Sequence, residues 1–201
     1  MIRLLLADDQ ALVRGALAAL LNLEPDLEVV VEVDRGDLVV AAARDARPDV
    51  AVLDIEMPGL DGIAATAALR ESMPGCRVLV VTTFGRPGYL RRAMEAGASG
   101  FLVKDAPASQ LADAIRRVAQ GLRVVDPALA AETLASGESP LTGRERDVLV
   151  AAKGGGTVAD IARLLVLSDG TVRNYLSSAM GKTGARTRAE AVLIAEQRGW
   201  L

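Results

Sequence analysis

Histidine is absent from the 201 residues of this sequence, which also contain one cysteine and only five aromatic residues. Without an imidazole, histidine-based zinc sites and histidine-dependent catalysis are excluded. The single cysteine, Cys76, cannot form an internal disulfide, which suits a reducing compartment. Because aromatic residues are so few, alanine, valine and leucine must pack the core, and the hydrophobic content of 51% is sufficient for that.

Long hydrophobic runs are absent as well. No segment approaches the roughly 18–20 apolar residues that a membrane span requires. The opening MIRLLLADD reaches charged residues too soon for the layout of a signal peptide. We therefore expect a cytoplasmic protein with no membrane partner.

Charge is distributed unevenly along the chain. Residues 1–137 carry 14 basic and 19 acidic residues, a net charge of −5, whereas residues 138–201 carry 9 and 7, a net charge of +2. The basic residues of the second part include a cluster formed by Arg173, Lys182, Arg186 and Arg188. This asymmetry indicates two domains with different partners, and the basic cluster is compatible with DNA binding.

The first part alternates short apolar runs with longer helical patterns. The apolar runs lie at 3–7, 28–33, 50–53, 78–82 and 100–103, and the helical patterns at 10–22, 37–46, 61–72, 87–96 and 109–120. Five repeats of strand and helix predict a parallel sheet that is covered on both faces by helices. Five strands in about 120 residues favour a flavodoxin-like α/β domain over the longer dinucleotide-binding fold.

Chemically active side chains follow four of the predicted strands: Asp8 and Asp9, Asp54, Thr82 and Lys104. The carboxyl ends of parallel strands share one edge, where such sheets bind their ligands. Three carboxylates repel one another unless a cation neutralises them, and Mg²⁺ is the natural occupant. A carboxylate held against Mg²⁺ can attack a phosphoryl group, with an ammonium group stabilising the transferred oxygens.

Each of these residues also has an ordinary structural interpretation. An acid at a strand end often caps the next helix or faces water, and Thr82 alone would be a β-branched strand residue. Lys104 is less easily assigned to chance, because the chain uses 20 arginines and only 3 lysines. The combination of all five favours a phosphoryl-transfer site over a set of coincidences.

The last part of the chain is rich in signals for helix starts. Residues 122–139 predict a linker with room for one short helix at 126–136, and residues 140–201 predict a small all-α domain. Helices at about 158–164 and 169–182 have the spacing of a helix-turn-helix, whose second helix enters the major groove of DNA. Hydroxyl caps with an acid three residues later are Thr142 with Glu145, Thr157 with Asp160 and Thr187 with Glu190, and Asp169 is a fourth expected cap.

Residues 1–121 resemble the receiver domain of bacterial two-component response regulators, through LLLADDQ, AVLDIEMPGLDG, VLVVTTF and AMEAGASGFLVKD. The resemblance implies a sensor histidine kinase as partner and Asp54 as phosphoacceptor. It implies Mg²⁺ held directly by Asp9 and Asp54, through water by Asp8, and by the backbone carbonyl of Glu56. It also implies Thr82 and Phe101 as a switch pair, although Phe101 alone would be simple core, and Lys104 as phosphate contact. Many receivers continue with a cis-proline where this chain has Asp105, so that cis bond is not expected.

Residues 140–201 resemble the helix-turn-helix output domain of the LuxR/NarL/FixJ family, through LTGRERDVL, DIARLLVLSDGTVRNYLS and GARTRAEAVLIAEQRGW. The resemblance places Thr171, Val172, Arg173, Asn174 and Ser177 on the exposed face of the recognition helix. Arginine and asparagine there suit base edges, whereas Thr171 and Lys182 suit phosphates. Arg173 could instead be a solvated helix charge, and Gly181 and Thr183 depart from the family pattern. TTFGRPGYLRRAMEAG and TVRNYLS are most similar to the DesR-type subgroup, which includes a regulator of lipid desaturation.

These resemblances imply a transcription regulator, not a metabolic enzyme, although autodephosphorylation is expected. Phosphorylation would promote a homodimer that binds a palindromic site in double-stranded DNA. The expected dimer surface comprises Leu12, Ala16, Leu111 and Ile115; the alternatives are that these residues are core and that the helix at 87–96 makes the contact. Two rival functions are a Mg²⁺-dependent phosphotransferase or phosphatase for a small molecule, and a DNA-binding protein with a vestigial receiver.

Overall fold

The computed structural model describes residues 1–83, 85, 87–105, 107–135 and 139–201, and the chain forms two compact units. The first comprises most of residues 1–130, and the second consists mainly of residues 131–201.

A parallel sheet forms the centre of the first unit. Within the described residues it contains six strands in the order β2-β1-β3-β4-β5-β6. The strands are β1 (Ile2–Ala7), β2 (Leu27–Val33), β3 (Val50–Leu53), β4 (Arg77–Thr82), β5 (Gly100–Val103) and β6 (Val124–Val125). Residues of β3 are buried on both faces of the sheet, which explains their continuous apolar sequence.

The sixth strand corrects the expected count of five. β6 pairs with the first two residues of β5, so that Gly100 lies opposite Val124 and Phe101 opposite Val125. Two residues leave no periodic pattern in a sequence, and their placement depends on the neighbouring strand. β6 and the following helix α6 (Pro127–Ala135) both lie within the segment predicted as a linker, and α6 occupies the position of the predicted short helix.

Five helices cover the two faces of this sheet. They are α1 (Ala11–Leu21), α2 (Val39–Ala46), which follows a 3₁₀ turn at Gly36–Leu38, α3 (Gly62–Ser72), α4 (Pro87–Glu95) and α5 (Ala108–Ala119). One apolar core lies between the sheet and helices α1 and α5.

That core corrects half of the expected dimer surface. Leu111 and Ile115 are buried in it, together with Ala114 and Val118, because α5 turns its whole apolar face toward the sheet. Leu12, in contrast, is 86% exposed, and Ala16 is exposed as well. The exposed apolar surface therefore belongs to α1 and not to α5.

Four helices form the second unit within residues 139–201: α7 (Gly143–Lys153), α8 (Val158–Leu165), α9 (Asp169–Thr183) and α10 (Arg188–Gln197). Thr142 and Thr157 form the predicted capping boxes, and the Thr187 hydroxyl caps α10. The expected cap at Asp169 is wrong, because the Ser168 hydroxyl accepts the bond from the Thr171 amide. No helix in the described part of the chain is long and apolar enough to cross a membrane.

Candidate functional site

The predicted site residues meet at the carboxyl edge of the sheet. β1 and β3 pair in register, with Ala7 opposite Leu53, so the residues that follow them are neighbours. The Asp54 amide donates to the Ala7 carbonyl at 2.8 Å, and the Lys104 amide donates to the Thr82 carbonyl at 2.8 Å. These backbone bonds extend the strand pairing to the first residues beyond the sheet.

The three aspartates form one cluster. One carboxylate oxygen from each of Asp8, Asp9 and Asp54 lies within 4.8 Å of the others. Asp8 and Asp54 are buried, whereas Asp9 is exposed. Carboxylate oxygens on an edge that is open at Asp9 fit Mg²⁺, which binds through few carboxylates and keeps several waters.

Lys104 joins two of these aspartates. Its Nζ lies 2.7 Å from Oδ2 of Asp8 and 3.2 Å from Oδ2 of Asp54. Burial raises the pKa of Asp54, and the Asp8 charge adds to this effect, whereas the Lys104 ammonium opposes it. A metal ion would add positive charge and favour the ionised form of Asp54, which is the nucleophilic one.

The predicted switch residues Thr82 and Phe101 are both buried, Thr82 at the end of β4 and Phe101 within β5. In the sheet Phe101 lies opposite Val80, two residues before Thr82. Phe101 has no exposed surface. If Phe101 moves inward when the predicted switch operates, that movement has to start from a conformation other than this one.

Two close approaches support Asp54 and Asp8. A Cβ atom at Gly62 would lie 1.8 Å from the Asp54 carbonyl oxygen, so only glycine fits against this strand end. Arg14 donates from Nη1 to the Asp8 carbonyl at 2.5 Å, and its Nε lies 3.6 Å from Glu32. Arg14 was not among the predicted site residues, although it is the only charged residue within α1 and its isolation there marks it in the sequence.

In the second unit, α9 presents part of the predicted recognition surface. Arg173, Asn174 and Ser177 are exposed. The Arg173 side chain lies 3.7 Å from Asp169, a solvent-exposed pair that holds the guanidinium only weakly. The Thr171 hydroxyl lies 2.8 Å from that of Ser168.

Two residues of the predicted recognition surface differ from expectation. Val172 is fully buried in the helical core, so its predicted exposure is wrong. The reason is the helical period, since Val172, Leu176, Ala179 and Thr183 all lie on the inner face. Lys182 donates from Nζ to the carboxylate of Glu145 at 2.7 Å, a partner that the sequence analysis did not foresee.

Comparison with known proteins matches both units to described families. Residues 4–116 match the response regulator receiver domain, and residues 139–195 match the bacterial regulatory proteins of the luxR family. The transcriptional regulatory protein DesR of Bacillus subtilis is 43% identical over 200 residues, covering 100% of this chain and 99% of that relative. The response regulator RamR of Streptomyces coelicolor is 41% identical over 201 residues, covering 100% and 98%. The crystal structure of the response regulator ChrA, from a heme-sensing two-component system, is similar with 34% identity and a TM-score of 0.60, covering 100% of this chain and 98% of that one.

Proposed function

We propose, from the premise that this chain belongs to the two-component response regulators with a LuxR-type DNA-binding domain, that Asp54 is its phosphoacceptor. The observation that carries the proposal is the position of Asp54, buried beside two further aspartates and 3.2 Å from the ammonium of Lys104. The phosphoryl donor is a phosphohistidine of a partner sensor histidine kinase.

In this reaction a carboxylate oxygen of Asp54 attacks phosphorus, and the phosphorus–nitrogen bond to the kinase histidine breaks. The bonding electrons leave with the histidine nitrogen, and Asp54 becomes an acyl phosphate. Asp8, Asp9, Asp54 and the backbone carbonyl of Glu56 would hold Mg²⁺, which when bound neutralises the carboxylates and polarises the phosphoryl oxygens. Hydrolysis of the acyl phosphate by water resets the protein.

Lys104 and Thr82 bind the oxygens of the new phosphoryl group. Lys104 is already within reach of Asp54, so its ammonium can move from the carboxylates to a phosphoryl oxygen. The Thr82 hydroxyl, at the end of the neighbouring strand, donates to another oxygen, and Phe101 fills the space beside it. Phosphorylation shifts the receiver toward this conformation because it stabilises one of two existing states.

The phosphorylated receiver forms a homodimer through the exposed face of α1. Leu12 and Ala16 supply the surface, and apolar cavities lined by Leu17 and Leu20 of α1 and by Leu111 of α5 lie between these two helices. Pairing places two DNA-binding domains on one palindromic duplex, which raises affinity through effective concentration. Arg173 and Asn174 then contact base edges and Thr171 a phosphate. The proposal includes a cytoplasmic location, where bacterial DNA lies.

The test is an intact-mass measurement after incubation with acetyl phosphate and Mg²⁺. The wild-type chain should gain one phosphoryl mass, and Asp54→Asn or removal of Mg²⁺ with EDTA should abolish the gain. Asp34→Asn is the matched control, because Asp34 follows the parallel strand β2 but lies outside the cluster. Labelling of Asp54→Asn, or labelling without metal, would contradict the assignment.

A further inference from the structure

A buried carboxylate connects the start of α7 to the recognition helix α9. Glu145 is only 4% exposed. Its Oε1 accepts from the Ser178 hydroxyl at 2.7 Å, and its Oε2 accepts from the Lys182 ammonium at 2.7 Å and from the Thr142 amide at 2.6 Å. Glu145 therefore takes part in the capping box of α7 and holds α9 at two points at the same time.

The two points on α9 lie on one flank of the helix. Ser178 and Lys182 are four residues apart, so they are neighbours on the helix surface. The inner face, which includes Val172 and Leu176, lies on one side of this flank, and the exposed face with Arg173 lies on the other. Apolar packing alone tolerates some rotation of a helix about its axis, whereas two directional bonds one turn apart restrict it.

Small rotations are sufficient to disturb DNA recognition. Side-chain tips lie roughly 6 Å from a helix axis. A rotation of about 20° therefore moves a tip by about 2 Å, which is enough to break a hydrogen bond with an optimum near 2.9 Å. The rotation of α9 consequently decides whether Arg173 and Asn174 reach the base edges.

We infer that Glu145 is a positioning residue for DNA recognition, which fixes the rotation of α9 through Ser178 and Lys182. Lys182 serves this pair and does not contact a DNA phosphate. Moving its ammonium to a phosphate would leave a buried carboxylate with neutral partners only, which is unfavourable. The inference rests on the proposed role of α9 in reading DNA and adds the residue that orients it.

The DNA probes come from selection with the wild-type full-length chain on a random-sequence duplex pool. The enriched duplex and a shuffled duplex of equal length and composition are then compared. Binding of each is measured over a series of salt concentrations, so that the specificity ratio and the salt slope are obtained together. Trp200 is the one tryptophan of the chain and lies in the core of the second unit, so its fluorescence shows that each variant is folded.

Glu145→Gln and Lys182→Met should each lower the ratio of affinities for the enriched and shuffled duplexes by about tenfold, with the salt slope unchanged. Lys182→Arg keeps a cation beside Glu145 and should retain most of the ratio. Lys153→Met is the control for loss of a lysine charge, because Lys153 also pairs with a glutamate, 2.5 Å from Glu196, but this pair is more exposed and joins α7 to α10 without involving α9. The double variant Glu145→Gln/Lys182→Met leaves no unpaired buried charge, so it tests the same bonds even where Lys182→Met is too unstable to measure, and its ratio should remain low.

Three outcomes would overturn the inference: a wild-type ratio in Glu145→Gln, a wild-type ratio in the double variant, or a loss in Lys182→Met that is equal for both duplexes. In the last case a salt slope reduced by about one unit would identify Lys182 as a phosphate contact. Failure of the proposed function looks different, because the wild-type chain would then enrich no sequence from the pool.

Discussion

At the scale of single residues, the proposed phosphoryl-acceptor site depends on positions where only one type of residue fits. Asp8 and Asp54 share the Lys104 ammonium, so neither carboxylate is buried without a compensating charge. At Gly62 the requirement is the absence of a side chain, because the backbone of Asp54 passes too close to leave room for one. Charge pairing and close approach together explain why the chain has these residue types at these positions.

The glycine requirement gives a direct prediction. In Gly62→Ala the added Cβ would meet the Asp54 carbonyl oxygen at 1.8 Å, so the backbone must move. We expect a loss of about 1–3 kcal/mol in the free energy of unfolding and slower labelling of Asp54 by acetyl phosphate. Gly15→Ala is the control, because no atom lies within 4 Å of its Cβ position in α1. This substitution should stabilise the protein by about 0.5–1 kcal/mol. Unchanged labelling of Gly62→Ala would show that the close approach does not constrain the site.

The ionisation of Glu145 predicts a pH dependence. Burial alone would raise the pKa of Glu145, but the hydrogen bonds from Lys182, Ser178 and Thr142 outweigh it and lower the pKa to about 2. A carboxyl group with a lowered folded-state pKa stabilises the fold fully above its ordinary value near 4.5. That stabilisation is lost as the pH falls from about 4.5 to about 2.

The free energy of unfolding of the second unit, measured through Trp200 fluorescence, should therefore fall steeply over this pH range in the wild-type chain. The Glu145→Gln variant should be less stable than the wild-type chain at neutral pH, but its stability should decrease less on acidification. Parallel curves for the two proteins would show that this carboxylate does not account for the acid sensitivity.

At the scale of elements, the turn of the helix-turn-helix contains a strained residue. Val166 ends α8 with φ of 56°, in the left-handed region that β-branched side chains rarely adopt. The side chain is 90% exposed, so packing gives no compensation. The bonds that end the helix, including that from the Leu167 amide to the Ala162 carbonyl at 2.8 Å, hold the conformation.

Val166→Asn should stabilise the second unit by about 1 kcal/mol, because asparagine adopts left-handed conformations more readily. Denaturant unfolding followed through Trp200 measures the change. Val150→Asn is the matched control, since Val150 is a half-exposed valine with ordinary helical geometry in α7, and it should give no stabilisation. A destabilised Val166→Asn protein would mean that the turn carries no appreciable strain.

At the scale of the whole molecule, the proposed regulation requires a surface through which two copies meet. Leu12 is exposed on α1 and contributes nothing to the core, so its exposure has no structural benefit for a single chain. An interface centred on α1 would bury it and gain from the removal of apolar surface from water.

Leu12→Glu should abolish dimerisation of the phosphorylated chain without lowering its stability. Sedimentation after acetyl phosphate treatment measures the association, and the intact mass confirms that Asp54 is still labelled. Leu38→Glu, which changes an exposed leucine just before α2, should dimerise like the wild-type chain. Normal dimerisation of Leu12→Glu would place the interface elsewhere, with α4 as the next surface to test.

Much of the site could be predicted because parallel strands bring their carboxyl ends to one edge. Asp8, Asp9 and Asp54 follow the adjacent strands β1 and β3. Lys104 follows β5, which β4 separates from β3, and its long side chain reaches Asp8 and Asp54 from there. Arg14 does not follow a strand, and its contacts, the Asp8 carbonyl and the Glu32 carboxylate on β2, are set by the packing of α1 and not by a pattern in the sequence.

The sequence by itself determined the element types, the order of strands and helices and most helix starts, since these depend on local periodicity and on caps within a few residues. Only the tertiary structure decided that β6 joins the sheet, that Leu111, Ile115 and Val172 are core, and that Lys182 pairs with Glu145. Each of these outcomes depends on a neighbour that is distant in sequence or on the direction in which a helix faces. The sequence alone does not decide whether an apolar residue at the border of a helix's apolar face is buried or exposed, because this depends on the element that packs against the helix.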